Sequence, residues 1–283
     1  LNSRNCKSLH FTTQHTIHMS TLPKIPADQL PPENERIATL VQKYNEELAP
    51  KNPVFDAWLK KVVKEKFLTS FIISKKDVPR AFEALTNFIE LWTKVKWHTY
   101  SWEEMEKEFR TGYICQPIPA PKCEKKGSTV IFMGVKGYYP VKIGREKIIA
   151  VMMFLMEYIL HITPIEEQRI GFSYYFQCKG LQWANFDAET EKVFTNIQDT
   201  IPMRVKNMMC HNPGLIFKAI WAIAKLFTPV KMQKRLVLAD KKGINKYVNV
   251  DKIPTEFGGN FKLDDSWITE LKEYHMTVNK ALA

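Results

Sequence analysis

Ile253-Pro254-Thr255-Glu256-Phe257-Gly258-Gly259 lies near the C-terminal end of this 283-residue chain. Pro fixes one backbone angle and a Gly pair permits a positive-φ turn, so the stretch reads first as a chain reversal. A hydrophobic-Pro-x-Glu-aromatic-Gly-Gly string is more particular than a generic turn requires.

Upstream of it the pattern alternates. Thr129–Met133, Ile170–Phe176, Val205–Cys210 and Arg235–Ala239 are short apolar runs rich in β-formers. Helical spacing lies between them, over 145–161, 187–199 and 213–227. This alternation predicts an α/β layer of about five strands, mainly parallel and flanked by helices. Before residue 110 the period is helical throughout. Ile37, Leu40, Val41, Tyr44 and Leu48 share one face, Phe55 to Val63 forms an amphipathic segment, and Phe67–Ser74 follows. A fourth helix covers 81–94, with Phe82, Leu85, Phe88, Ile89 and Trp92 inward. The expected organisation is a disordered lead (1–26), an all-helical unit (27–110) and a larger α/β domain with a C-terminal helix (111–283). A Pro-rich link, Gln116 to Gly127, separates the last two. Met19-Ser-Thr-Leu-Pro-Lys has the form of a natural start, which makes residues 1–18 an expected tag or upstream extension.

Forty-one basic and 30 acidic residues leave a net charge of +11. That excess favours an anionic partner, either nucleic acid or acidic lipid. No RNP, zinc-finger or helix-turn-helix signature is present, so lipid is preferred and no nucleic-acid partner is expected. The five cysteines (6, 115, 123, 178 and 210) are scattered without CxxC spacing, as free thiols of a reducing compartment are. The longest apolar stretch, Ile148 to Ile162, is interrupted by Glu157 and His161 and fits a buried helix rather than a membrane span.

The opening heptapeptide resembles the closing signature of the CRAL-TRIO lipid-binding domain, the fold of tocopherol, retinaldehyde and phosphatidylinositol transfer proteins. Other segments join it in the right order over roughly residues 65–260. Leu68, Phe71 and Ala81 match a helical-unit pattern, with Ser70 and Ile73 standing where basic residues are usual. Glu166-Glu167-Gln168-Arg169-Ile170-Gly171 is similar to the segment that precedes the second strand. Asp199-Thr200-Ile201-Pro202-Met203-Arg204-Val205-Lys206 resembles the tocopherol-transfer branch, and Asn212-Pro213 and Ala224-Lys225-Leu226-Phe227 follow at the expected distance. Met203 replaces the Glu of the phosphatidylinositol branch, while Gln177 and Lys179 also depart from the usual residues. The chain reads as a divergent member.

Gly214 to Phe227 is apolar nearly all round. By itself that describes a buried helix; the resemblance implies a gate, with Phe217, Trp221, Leu226 and Phe227 able to meet a bilayer. A ligand pocket is then expected between this helix and the sheet, lined by Phe172, Tyr174, Met208, Cys210, Ile216, Ile220 and Ile223. The resemblance assigns Arg204, Lys206 and Lys225 to phosphoinositide phosphates, and Lys231 and Lys234 join them as a candidate membrane-binding set; a solvated basic face is the plain alternative. Basic side chains suit phosphate oxygens because they offer several charged donors.

The chain carries no GxSxG, P-loop, HExxH or GxGxxG motif. His211 beside Cys210 makes a poor catalytic pair, because adjacent strand residues face opposite sides. No enzyme activity, metal or cofactor is expected beyond a bound lipophile. What the resemblance implies is a monomeric cytoplasmic carrier with peripheral membrane association. It would move tocopherol, retinoid, carotenoid or a related lipid between membranes. The alternative is a phosphoinositide-sensing interaction module without transfer.

Overall fold

The computed structural model describes residues 22–111, 117–118, 129–135, 137–197, 199–262 and 265–279. Residues 1–21, Cys115, Cys123 and most of the Pro-rich link lie outside that set.

Five helices come first: α1 (Glu33–Lys43), α2 (Pro53–Lys61), α3 (Lys64–Lys75), α4 (Val78–Val95) and α5 (Trp102–Arg110). Their inner faces supply a dense aromatic cluster. Ring centroids are 4.9 Å apart for Phe55–Trp58, 5.4 Å for Trp58–Phe67 and 5.3 Å for Phe67–Phe88. Asp77 caps α4 by accepting from Arg80 N at 2.9 Å, and Ser101 with Glu104 forms a capping box on α5.

The sheet follows, with strand order β1 (Pro117–Ile118), β2 (Thr129–Gly134), β3 (Phe172–Gln177), β4 (Val205–His211) and β5 (Leu236–Ala239). β1 is antiparallel to β2, and the other neighbours are parallel. Between strands lie α6 (Pro140–Ile143), α7 (Arg145–Ile162), α8 (Ile165–Ile170), α9 (Ala188–Ile197), α10 (Leu215–Ala224) and α11 (Val230–Gln233). After β5 come α12 (Lys241–Ile244) and α13 (Ser266–Asn279). The expected fold class is the observed one: a mainly parallel sheet flanked by helices, with a helical region before it.

Two details differ from the sequence reading. Ile170, expected to open a strand, ends α8, and Gly171 at φ +106° starts the turn into β3. A Cβ at Gly171 would lie 2.7 Å from Arg204 O, so only glycine fits there. The second is β1, a strand within the stretch expected to be a link.

Side chains alternate across the sheet, giving it two faces. Ile131, Phe172 and Tyr174 point into the larger core, with α7, α9 and the helical region. Val130, Phe132, Tyr175 and Met209 point the other way, into a smaller core with Ile244, Val248, Ile253 and Phe257. The Ile253–Gly259 stretch therefore closes the second face. Phe257 packs on Phe132 at 5.4 Å, Gly258 takes φ +87°, and Gly259 N donates to Pro254 O at 3.1 Å.

Candidate functional site

Consecutive parallel strands in the order β2-β3-β4-β5 need crossovers of one hand, which place α7, α9 and α10 on the same side of the sheet. α7 and α9 behave as such helices should: both contribute side chains to the larger core. α10 does not. Nine of its ten residues are apolar, yet none is buried and none belongs to either core cluster. Ile216, Phe217, Ile220, Trp221 and Ala224 form its half-buried face, while Leu215, Ala219, Ala222 and Ile223 are exposed. Ile223, expected in the pocket wall, thus lies outward. Phe217 and Trp221, expected on the outward gate surface, share the inward face with Ile216 and Ile220. The cause is helical phase, since positions i, i+1, i+4 and i+5 fall on one side. Leu226 is 81% exposed and Phe227 is half-buried.

On the sheet, Tyr174 and Met208 are register partners, as are Phe176 and Cys210. Phe172, Tyr174 and Cys210 are buried, and Met208 is half-buried. Tyr174 stacks on Phe176 with centroids 6.2 Å apart and planes at 14°. Burial pushes the Tyr174 hydroxyl above the ordinary phenol range. A hydrogen bond with Cys178, and then burial, raises the Cys210 thiol. A protonated thiol is a poor nucleophile, so this pair behaves as soft apolar lining. Beside the C-terminal end of α10 is a hollow of about 340 Å³ lined by Thr195, Lys225, Leu226, Phe227, Thr228, Pro229, Val230 and Gln233. It takes in two expected gate residues and one expected basic residue, and none of the seven expected pocket residues.

The expected basic set divides. Arg204 is exposed and donates to Arg169 O at 2.8 Å, and its charge adds to burial in lowering Lys76 and Arg235. Lys231 is lowered by burial and by Arg235, Lys24 and Arg80, with Asp199 opposing. Lys225 lines the hollow, Lys206 is half-buried at the β4 irregularity beside Phe172 and Ser173, and Lys234 is exposed after α11. The sequence reading missed Lys75, Arg80 and Arg235. Lys75 makes an ion pair with Asp199 at 3.6 Å, and burial lowers its amine. The basic neighbourhood is thus shared between the α3–α4 turn and the N-terminal edge of the sheet. Only Arg235, in the run Lys231–Arg235, carried a local signal.

His211 is a buried strand-end group facing away from Cys210. Its Nδ1 lies 2.6 Å from the Tyr175 hydroxyl. Gln177 Nε2 donates to Phe257 O at 2.9 Å and Lys179 N donates to Gln177 Oε1 at 3.1 Å, so this departed position anchors the closing stretch. Among the described residues no group of three His, Cys, Asp or Glu could hold a metal ion, and no helix is long and apolar enough to cross a membrane.

A family model described as the CRAL/TRIO domain matches residues 115–259. The proteins it covers are in general lipid-binding carriers. No curated protein matches the chain. Among solved structures, the crystal structure of Sfh5 superposes with a TM-score of 0.61 over 91% of this chain and 98% of its own, at 13% identity. That likeness is one of fold. With just over half of its residues matched to the model and the same fold across nearly all of its length, the chain belongs to the CRAL/TRIO domain family.

Proposed function

We propose that the chain carries a hydrophobic small molecule between membranes, holding it between α10 and the Tyr174/Met208 face of the sheet. One observation carries this reading: α10 is an apolar crossover helix on the core side of the sheet that joins neither core. An apolar helix with no buried residue is costly in water. A lipophile beneath it, or a bilayer above it, would remove that cost at about 25 cal/mol per Å² covered. The ligand class is tocopherol, retinoid, carotenoid or a related lipid, which all need an apolar cavity with few polar anchors. The tocopherol-transfer branch is favoured by Asp199–Lys206, and Met203 disfavours inositol-lipid exchange.

Arg204, Lys231 and Arg235 suit an anionic headgroup at the membrane, with phosphoinositide as the intended partner. The same neighbourhood supports the alternative reading, a phosphoinositide sensor that transfers nothing. Movement of a fluorescent lipophile from donor to acceptor vesicles separates the two. Transfer that scales with protein concentration supports the carrier. Vesicle binding without transfer supports the sensor.

A further inference from the structure

The C-terminal ends of the parallel strands form one row, Gly134–Gln177–His211–Ala239, by register. Three segments leaving that row each expose a large apolar side chain: Val141 is 75% exposed, Trp183 53% and Leu215 83%. Exposed tryptophan is uncommon on a surface meant only for water, and its amphipathic ring suits a membrane interface.

Trp183 is held in place. Gln182 N donates to Asn185 Oδ1 at 2.7 Å, and the buried Asn185 donates through Nδ2 to Tyr138 O at 2.6 Å. This ties the Trp183 loop to the segment that leads into α6 and Val141. Exposed Asp240, which follows Ala239, caps α12 through Gly243 N, and two other acids near the rim are held in ion pairs. Asp187 is taken by Arg145 at 2.7 Å and Glu189 by Lys192 at 2.8 Å. Lys142, Lys179 and Lys218 are exposed and make no ion pair among the described residues.

The basic neighbourhood of Arg204 and Lys231 sits at the opposite edge of the sheet, before β4 and β5. α10 runs from the one edge to the other, ten residues or about 15 Å. We propose that the Val141–Trp183–Leu215 rim is a second membrane contact, with Trp183 seated in the interface of an anionic bilayer. The rim and the basic neighbourhood then hold α10 flat on the lipid from its two ends. This deepens the carrier reading and rests on it. The lysines meet lipid phosphates and carboxylates while the apolar tips enter the headgroup layer.

The test uses vesicles of phosphatidylcholine with about one-third phosphatidylserine, with and without brominated acyl chains. Wild type should bind and show tryptophan quenching by bromine; Trp183→Phe should lose a distinct part of that quenching. Val141→Ser with Trp183→Ala should bind about tenfold more weakly, and more weakly still once salt screens the lysines. Arg204→Glu with Lys231→Glu serves as the comparison at the other edge. If that pair loses binding while the Val141/Trp183 pair binds as wild type does, the rim proposal is overturned and the carrier reading stands. If wild type fails to bind at all, both fall. Thermal melts equal to wild type confirm that these exposed substitutions leave the fold intact.

Discussion

Ser70 on α3 and Gln168 on α8 meet inside the protein, with Oγ 2.6 Å from Oε1 and both side chains buried. Gln168 Nε2 also donates to Leu160 O at 3.1 Å and to Thr163 O at 3.0 Å. One glutamine therefore joins the helical region, the end of α7 and the segment that enters β3. Beside it, Arg169 pairs with Glu33 of α1 at 2.7 Å, and Thr129 donates to Glu167 at 2.9 Å. The Glu-Gln-Arg signature is a structural joint rather than a ligand site.

Gln168→Leu should leave the Leu160 and Thr163 carbonyls without their side-chain donor and return the Ser70 hydroxyl to Lys66 O, 3.0 Å away. The expected loss is about 3 kcal/mol. It should show as a lower urea midpoint with the slope unchanged. A loss below roughly 0.5 kcal/mol would show that the joint carries nothing.

Gly259 packs so closely on Ile253 that an added Cβ would lie 2.0 Å from Ile253 O and 2.4 Å from its Cβ. Backbone cannot yield there cheaply. Gly259→Ala should cost roughly 3 kcal/mol or more, above the ordinary range for a surface substitution. Gly258→Ala, strained by φ +87° but with 3.4 Å to its nearest neighbour, should cost about 1–2 kcal/mol. Equal melting temperatures for the two variants would contradict the packing account.

Glu157 on α7 is buried, accepting from Trp97 Nε1 and from the Tyr274 hydroxyl, each at 2.7 Å. Burial raises its carboxyl from 4.5 to about 7, against the pull of Trp97, Tyr274 and Trp58. The folded chain binds this proton more tightly than the unfolded chain does. Its contribution is therefore full below pH 4.5 and is lost as pH rises through 7. Relative to Glu157→Gln, wild type should lose about 2–3 kcal/mol between pH 5 and 8. The neighbouring His161 is held below its usual range by burial and Lys66, and cancels in the difference. A flat difference across that range would sink the assignment.

Arg204→Glu with Lys231→Glu should weaken binding to phosphoinositide vesicles by roughly two to three powers of ten at low salt. Each basic residue near an anionic surface contributes about 1 kcal/mol and reversal turns attraction into repulsion. Loading of a lipophile from detergent should be unchanged, because both residues lie at the edge of the sheet, outside the apolar face. Flotation of the two proteins with vesicles measures it, and equal binding would mark these residues as plain solvated surface.

The strands β2 to β5 and the principal helices were legible because their apolar periods are long and unambiguous. β1 was not, since Pro117 reads as a breaker; an edge strand tolerates it. Ile170 misled because an apolar β-branched residue beside a strand run looks like its first member, whereas Gly171 sets the true boundary. At the site, the apolar surplus of α10 was plain, but its facing was not. With Lys218 as the one polar residue among ten, the phase of the helix is fixed only within a wide arc, so Ile223 and Trp221 were assigned to the wrong sides. Lys75 and Arg80 escaped because the fold, not the local sequence, brings the α3–α4 turn to Asp199 and Lys231.

Mass spectrometry of an organic extract of the purified chain reads occupancy by a lipophile. An apolar ligand near one per chain is expected, reduced in Ile220→Trp with little change in melting temperature, because Trp at this half-buried position fills the ligand's space. An extract that holds no lipophile above background, before and after incubation with lipid, would contradict that occupancy.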